Sequence, residues 1–214
     1  MKIAVLGTGM VGQALATRLH DLGHQVTLGT RDVGDTRQRL ADSITADIPL
    51  ATLSDAAATA EIVILAVQGG AALTTLAAAG PTQLATKSVI DITNPLDFTQ
   101  GFPATLFVKD TDSLGEQIQA ALPDARVVKT LNTLTADLMV NPRMVNDGQH
   151  TVFISGNDDE AKHVVATLLG SMGHMDVIDL GDITTARGTE MLMPLWMRLM
   201  GALDTTMFQF KVVR

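Results

Sequence analysis

Six residues near the amino terminus, Gly7-Thr8-Gly9-Met10-Val11-Gly12, have the composition and spacing to hold a pyrophosphate. A glycine at the first position permits a tight turn out of a strand. The second lets phosphate oxygens approach the backbone closely, and the third lets a helix pack tightly on the strand. The free N–H groups of that helix's first turn, with the positive end of its dipole, then face the phosphates. Context gives the motif its weight. Ile3-Ala4-Val5-Leu6 is an apolar run of strand length, Val11, Leu15, Leu19 and Leu22 share one helical face that Gly23 ends, and Val26-Thr27-Leu28 is a second apolar run. Strand, glycine turn, helix and strand within about 30 residues is a dinucleotide-binding unit. The competing reading is an ordinary strand-turn-helix without a ligand.

The end of the second strand selects the dinucleotide. An acid there holds the ribose 2′-hydroxyl of NAD, whereas an arginine accommodates the 2′-phosphate of NADP. The chain reads Leu28-Gly29-Thr30-Arg31-Asp32. Gly29 leaves space, Thr30 offers a hydroxyl and Arg31 a planar cationic fork suited to phosphate. Asp32 falls past the strand, where it reads as the start of a helix. NADP is favoured over NAD, with a merely solvated Arg31 as the alternative.

The elements that position these residues follow a regular order. A surface helix spans Asp32 to Arg39. Ile44 to Leu53 reads as a short strand, with Ser54 capping an alanine-rich helix over Asp55 to Ala60. Strands are expected at Glu61–Val67, Lys87–Ile92, Arg126–Leu131, His150–Ser155 and Met175–Leu180. Helices are expected at Ala71–Ala79, from Ser113 to Leu122 with Glu116 completing a capping box, and from Asp158 to Leu169. Phe98 to Thr111 is unpatterned and reads as a loop. Alternating strands and helices define an α/β chain, a Rossmann-type doubly wound, mostly parallel sheet with a C-terminal helical segment. Right-handed crossovers would align the strand ends Gly7, Gly29, Val67, Thr93 and Asn132 along one edge, where ligands of open sheets bind. Val67-Gln68, Asn94-Pro95 and Asn132-Thr133 are therefore candidates to line the cleft. Taken alone, Asn94-Pro95 is equally a turn and Asn132 equally a helix cap.

The 214 residues suit one domain with an appendage, residues 1–182 as the dinucleotide domain and 183–214 as the helical segment. The net charge of −8 and a pI near 4.9 argue against nucleic acid and anionic membranes as partners. Cysteine is absent, which leaves no disulfide framework or thiolate metal site and fits a reducing cytoplasm. With the first strand expected at residue 2, no signal peptide is expected. The uncharged stretch from Ile62 to Thr86 is long enough to span a membrane, but Gln68-Gly69-Gly70 interrupts it and Pro81 ends it, so a buried strand and helix are expected instead. His20, His24, His150, His163 and His174 are scattered without metal-ligand spacing, and no catalytic carboxylate or histidine constellation is present.

Glu190 to Leu203, EMLMPLWMRLMGAL, is apolar round nearly its whole circumference, so a buried helix is expected, bent by Pro194. A patch holding Met193, Trp196, Met197 and Met200 would exceed what a soluble monomer exposes. A homodimer paired through this helix is expected, with fold-back into the chain's own groove as the rival. Arg198, the only charge between Glu190 and Asp204, should lie at the rim or reach the acceptor.

Together these residues resemble the NADPH-dependent coenzyme F-420 reductases and related dinucleotide-binding oxidoreductases over nearly the full length. The resemblance rests on the Gly7–Gly12 motif, on Gly29-Thr30-Arg31 and on Val127-Val128-Lys129-Thr130-Leu131-Asn132-Thr133. It rests also on Gly156-Asn157-Asp158-Asp159-Glu160-Ala161-Lys162 and on Glu190 to Leu195. It implies that Thr30 and Arg31 hold the 2′-phosphate and that Thr8, Met10 and Val11 meet the pyrophosphate. Ala66, Val67 and Gln68 would flank adenosine and ribose, and Asn94, Asn132 and Thr133 would lie nearer the nicotinamide. Relatives of this kind pair through their C-terminal regions. Leu131 replaces the usual Phe, and Gln68-Gly69-Gly70 is smaller than in many relatives, changes that bear on the acceptor pocket. The resemblance implies an NADPH-dependent oxidoreductase that passes hydride to a small-molecule planar acceptor, a deazaflavin such as coenzyme F-420 or a flavin. The rival is a non-catalytic NADP-binding module for redox sensing or scaffolding, in which side chains would fill the cleft beside the nicotinamide.

Overall fold

The computed structural model describes residues 1–43 and 47–214. Strands β1 (Lys2–Leu6), β2 (Gln25–Thr30), β3 (Leu50–Thr52), β4 (Ile62–Leu65) and β5 (Ser88–Asp91) form a parallel sheet. A short antiparallel pair, β6 (Leu96–Asp97) and β7 (Thr105–Leu106), stands apart from it. The sheet continues with β8 (Arg126–Thr130), parallel to β5, then β9 (Thr151–Gly156), antiparallel to β8, and β10 (Asp176–Asp179), parallel to β9. The resulting order is β10-β9-β8-β5-β4-β1-β2-β3. The order reverses between β1 and β4, the position at which open α/β sheets bind ligands.

The central strands are apolar on both faces because both faces are covered. Successive side chains alternate between two cores. Ile3, Val5, Ile62, Ile64 and Val128 pack with residues of α1 (Met10–Asp21), α7 (Ala136–Val140) and α8 (Asp159–Met172). Ala4, Leu6, Val63, Leu65 and Val127 pack with α3 (Leu53–Thr59), α4 (Ala72–Ala79), α5 (Pro81–Leu84) and α6 (Leu114–Ala121). Two further helices, α9 (Ala186–Met191) and α10 (Met193–Leu203), follow the last strand, and α2 (Val33–Arg39) follows β2. The expected Rossmann-type sheet is the observed one. Among the described residues no helix is long and apolar enough to cross a membrane.

Several local expectations are corrected. The expected strand-and-cap stretch at Ile44 to Leu53 falls partly on residues outside the described ones. Beyond them the strand is Leu50–Thr52, and Thr52 rather than Ser54 caps α3, accepting a bond from the Asp55 N–H at 3.1 Å. The unpatterned stretch after Phe98 contains β7, whose two residues are too few to show a period. The expected single helix over Glu190 to Leu203 is two, separated at Leu192. Pro194 lies in the first turn of α10, where a missing N–H costs no intrahelical bond. Met193 and Met197 are buried within the chain itself, as the fold-back alternative has it, and Trp196 stacks on Phe208 of the C-terminal tail at 5.2 Å. The tail contributes this ring contact, which periodicity could not foresee. It runs back to the start of β9, where Phe210 accepts the Thr151 N–H at 3.0 Å. The apolar side chains α10 does expose are Leu195 and Leu203, each about half accessible.

The structure also pairs two histidines 24 positions apart in the chain. His150 and His174 pack edge to face at 6.0 Å, with Nε2 atoms 3.2 Å from the Pro142 carbonyl and 2.9 Å from the Met139 carbonyl. Burial pushes both pKa values down, that of His174 to about 4. A histidine depressed in the fold stabilises it fully above its unfolded pKa of 6.5, and that contribution is lost as pH falls toward 4. Unfolding free energy should therefore drop by roughly 3 kcal/mol across this window from His174 alone. Urea unfolding from pH 7 to 4 tests this. The slope should flatten in His174→Gln, and equal slopes in both proteins would contradict the assignment.

Candidate functional site

The carboxyl edge of the sheet brings the residues singled out in the sequence into one line. At its centre the glycine turn is set by backbone contact. Gly7 has φ +125°, and a Cβ there would strike the Ala66 carbonyl at the end of β4. A Cβ at Gly12 would strike the Gly7 carbonyl, so α1 can sit on the turn only without one. Gly9 differs: a Cβ there meets nothing within 4 Å, and its φ of −78° suits any residue. This glycine is not needed by the fold, and the space over it is open. Met10, 77 % exposed, and half-buried Val11 open α1 with no acid in its first turn and no side-chain cap. Their N–H groups thus remain free to meet an anion.

The cations beside this turn are Arg31 and one the sequence reading missed. Arg31 is exposed and has no hydrogen-bond or ion-pair partner among the described residues. Arg39, at the end of α2, donates from Nη2 to the Thr8 hydroxyl at 2.7 Å and from Nη1 to the Thr8 carbonyl at 3.3 Å. Gln13 also donates to that carbonyl, at 3.1 Å. Thr30 is turned inward. It is 8 % exposed, and its hydroxyl pairs with that of Thr36 at 2.7 Å, which ties β2 to α2 behind Arg31. Asp32 caps α2 by accepting the Asp35 N–H at 2.9 Å, so the acid after the strand is engaged as the helix start that its position suggested. Gly29 does not open the site, because a Cβ there would lie 2.6 Å from Leu6 Cδ2, inside the core.

On the other side of the switch point, Ala66 and Val67 are half-buried and Gln68 is exposed. Gly69 follows because a Cβ there would strike the Asn94 carbonyl, so this small residue serves the close approach of two loops. Asn94 and Asn132, 38 residues apart in sequence, bind each other. Asn94 Nδ2 donates to the Asn132 carbonyl at 2.7 Å, and Asn132 Nδ2 donates to Asn94 Oδ1 at 2.9 Å and to the Thr189 carbonyl at 3.0 Å. Asn132 is thus neither helix cap nor free amide. Leu131, buried before it, has φ +58°, a left-handed conformation uncommon for a branched side chain. Thr133 faces the tail, its hydroxyl accepting from Gln209 at 3.1 Å.

Beneath the asparagine pair lies a buried ion cluster. Lys129 Nζ contacts Asp91 Oδ2 at 2.9 Å, the Thr93 carbonyl at 2.6 Å and Glu190 Oε1 at 2.8 Å. Asp91 accepts the Thr93 N–H and hydroxyl, and Glu190 accepts the Leu114 and Gly115 N–H groups at the start of α6. Burial alone would lower the Lys129 pKa, but the two carboxylates outweigh it and hold the pKa above the ordinary lysine value. The second negative charge is met by the N–H groups of α6. Arg187, forked onto Glu116, adds a second tie between α9 and α6. A lysine inside the apolar run Val127-Val128-Lys129 was the available signal, since a charge in a buried strand requires a partner.

The doubly wound sheet, the glycine turn and the free cation after β2 define the dinucleotide-binding oxidoreductase class. Comparison with known proteins agrees. Residues 2–95 match the family model described as NADP oxidoreductase, coenzyme F420-dependent. The F420-dependent NADP reductase of Methanothermobacter marburgensis is 30% identical over 209 residues, covering 93% of this chain and 92% of that protein. Metalloreductase STEAP3 of Rattus norvegicus is 30% identical over 202 residues, 91% of this chain, and the chain spans only 38% of that longer protein. A crystal structure from Arthrobacter sp. FB24, provisionally named an F420-dependent NADP-reductase, superposes with a TM-score of 0.96 at 55% identity over 100% of both chains. The chain belongs to the F420-dependent NADP oxidoreductase family. It is of the NADP-dependent oxidoreductase class, and NADP is the cofactor of that family.

Removing Lys129 would leave two carboxylates facing each other without a cation. Lys129→Met should cost about 3–5 kcal/mol in urea unfolding, the range for breaking a buried ion pair. A loss below about 1 kcal/mol would show that the cluster is not the tie described.

Proposed function

We propose that this protein transfers hydride between NADPH and a planar small-molecule acceptor, a deazaflavin such as coenzyme F-420 or a flavin, as a cytoplasmic homodimer. The observation that carries the reading is the unbroken carboxyl edge, with an uncovered Gly9 and a free Arg31 at one end and the Asn94–Asn132 pair at the other. Gly7, Gly9 and Gly12 shape the turn, and the N–H groups of Met10 and Val11 hold the pyrophosphate. Thr8, fixed by Arg39 and Gln13, forms its floor. Arg31 takes the 2′-phosphate, and Thr30 positions it through Thr36 rather than by its own hydroxyl. Ala66, Val67 and Gln68 line the adenosine and ribose path, and Asn94 and Asn132 border the nicotinamide. Thr133 acts from behind, through the tail. Bound NADPH supplies the hydride. No side chain is assigned as acid or base, so the protein's part is binding, orientation and exclusion of water. The domain division follows: residues 1–182 bind the dinucleotide, and residues 183–214 close the acceptor side and make the dimer contact.

The reductase reading is favoured over a non-catalytic module by one feature. A groove of about 390 Å³ between residues 103–109 and Met191, Pro194 and Arg198 at the α9–α10 junction is left unfilled. A scaffold has no need of such a space.

Arg31→Ala should weaken NADPH binding by about 1.5–3 kcal/mol, the worth of a hydrogen bond to a charged group, and leave NADH nearly unchanged. Equal losses for both, measured by calorimetric titration, would remove Arg31 from the 2′-phosphate site.

The dimer reading is supported by the exposed apolar side chains of α10, Leu195 and Leu203, which stand about two turns apart on the helix. Met197 lies inside the chain, so the informative substitution is Leu195→Glu. It should convert a sedimenting dimer to a folded monomer at micromolar concentration, since a carboxylate would be buried twice per two-fold contact. A wild-type monomer under the same conditions would end the dimer proposal.

A further inference from the structure

The groove beside the acceptor position is chemically uneven. Its apolar lining comes from Pro103 and Leu106 on one wall and from Met191 and Pro194 on the other. Each wall also carries one cation, Lys109 following β7 and Arg198 on α10. No carboxylate lines it. Neither Lys109 nor Arg198 makes a side-chain hydrogen bond or ion pair among the described residues. In a chain with 23 acidic and 15 basic residues, two unpaired cations facing one cavity call for an anion.

The groove is joined to the proposed nicotinamide end by short lengths of chain. Leu106 pairs with Leu96, two residues beyond Asn94, and the Phe107 N–H donates to the Pro95 carbonyl at 2.9 Å. Met191 lies two residues beyond Thr189, whose carbonyl Asn132 holds. A planar ring stacked by the asparagine pair could therefore extend a side chain between these walls. Pro194 and Arg198 stand one turn apart on α10, so both can face the same groove.

We propose that Lys109 and Arg198 bind the anionic arm of the hydride acceptor, so that the enzyme selects planar redox compounds bearing a phosphate or carboxylate side chain over neutral ones. This rests on the reductase reading above. A neutral arm would leave both cations unpaired, whereas a phosphate oxygen can accept from both at once.

The test uses FMN and riboflavin, which differ only in the terminal phosphate, and the same pair as 5-deaza analogues. Binding to the full chain saturated with NADP⁺, which blocks the 2′-phosphate site, is followed by flavin fluorescence. NADPH oxidation with each compound and with a neutral quinone is measured in parallel. The phosphorylated member of a pair should bind about tenfold tighter, a preference that salt weakens. Arg198→Gln and Lys109→Gln should each cut that preference several-fold, and the double variant should remove it, with the unphosphorylated constants unchanged. A wild type without the preference, or variants that weaken both members alike, overturns the proposal. NADPH oxidation by the quinone at least as fast as by the phosphorylated compounds overturns it while preserving the reductase reading. A protein that binds none of the four flavin compounds and oxidises NADPH with no acceptor overturns both.

Discussion

Lys129 ties β5 and β8 to α6 and α9. Its ammonium group sits in a fully enclosed site, with two carboxylates and a carbonyl around it, and none of these charges can be exchanged for water without opening the sheet. Such a cluster contributes little as net attraction, since desolvation offsets most of the Coulomb energy. Its effect is geometric. It fixes the ends of β5 and β8 against each other, seats Glu190 on the first turn of α6, and thereby docks α9 on the domain. The Asn94–Asn132 pair and the groove beside it are consequences of that docking, because Thr189 and Met191 flank Glu190 directly.

The cofactor side is organised by a different constraint, the exclusion of Cβ atoms where backbones touch. Gly7 against Ala66, Gly12 against Gly7 and Gly69 against Asn94 bring three loops to backbone contact along the edge. The one glycine of the turn that the fold does not require, Gly9, is left with open space above it, the place we propose for the pyrophosphate. Electrostatics complete the division. The chain is strongly acidic, yet the edge presents Arg31 and Arg39 at one end and Lys109 and Arg198 at the other.

The features legible in the sequence are local ones. The glycine turn, the apolar strands and the caps at Asp32, Ser113 and Asp158 each depend on residues within a few positions of one another. What escaped reading is long-range. The two partners of Lys129 are 38 and 61 residues away, and nothing in the local pattern marks Asp91 or Glu190 as its ligands or Glu190 as a ligand of α6. Arg39 reaches Thr8 across 31 residues, Thr36 takes up the Thr30 hydroxyl, and Phe208 of the tail stacks on Trp196 of α10. The two-residue strands β6 and β7 carry no period at all. The helix wheel of α10 marks which side chains are apolar, not whether a partner or the chain's own groove covers them; Met193 and Met197 are buried within the chain itself.

The central claim is that one continuous edge, from the glycine turn to the asparagine pair, receives NADP. Amide chemical-shift mapping during titration with NADP⁺ tests it directly. The account predicts saturable shifts at Gly9, Met10, Val11, Arg31, Val67, Gln68, Asn94 and Asn132, with β10 and the outer face of α8 unmoved. Saturable binding whose shifts cluster on β9 and β10, or that spare Asn94 and Asn132 while moving the glycine turn alone, would contradict it.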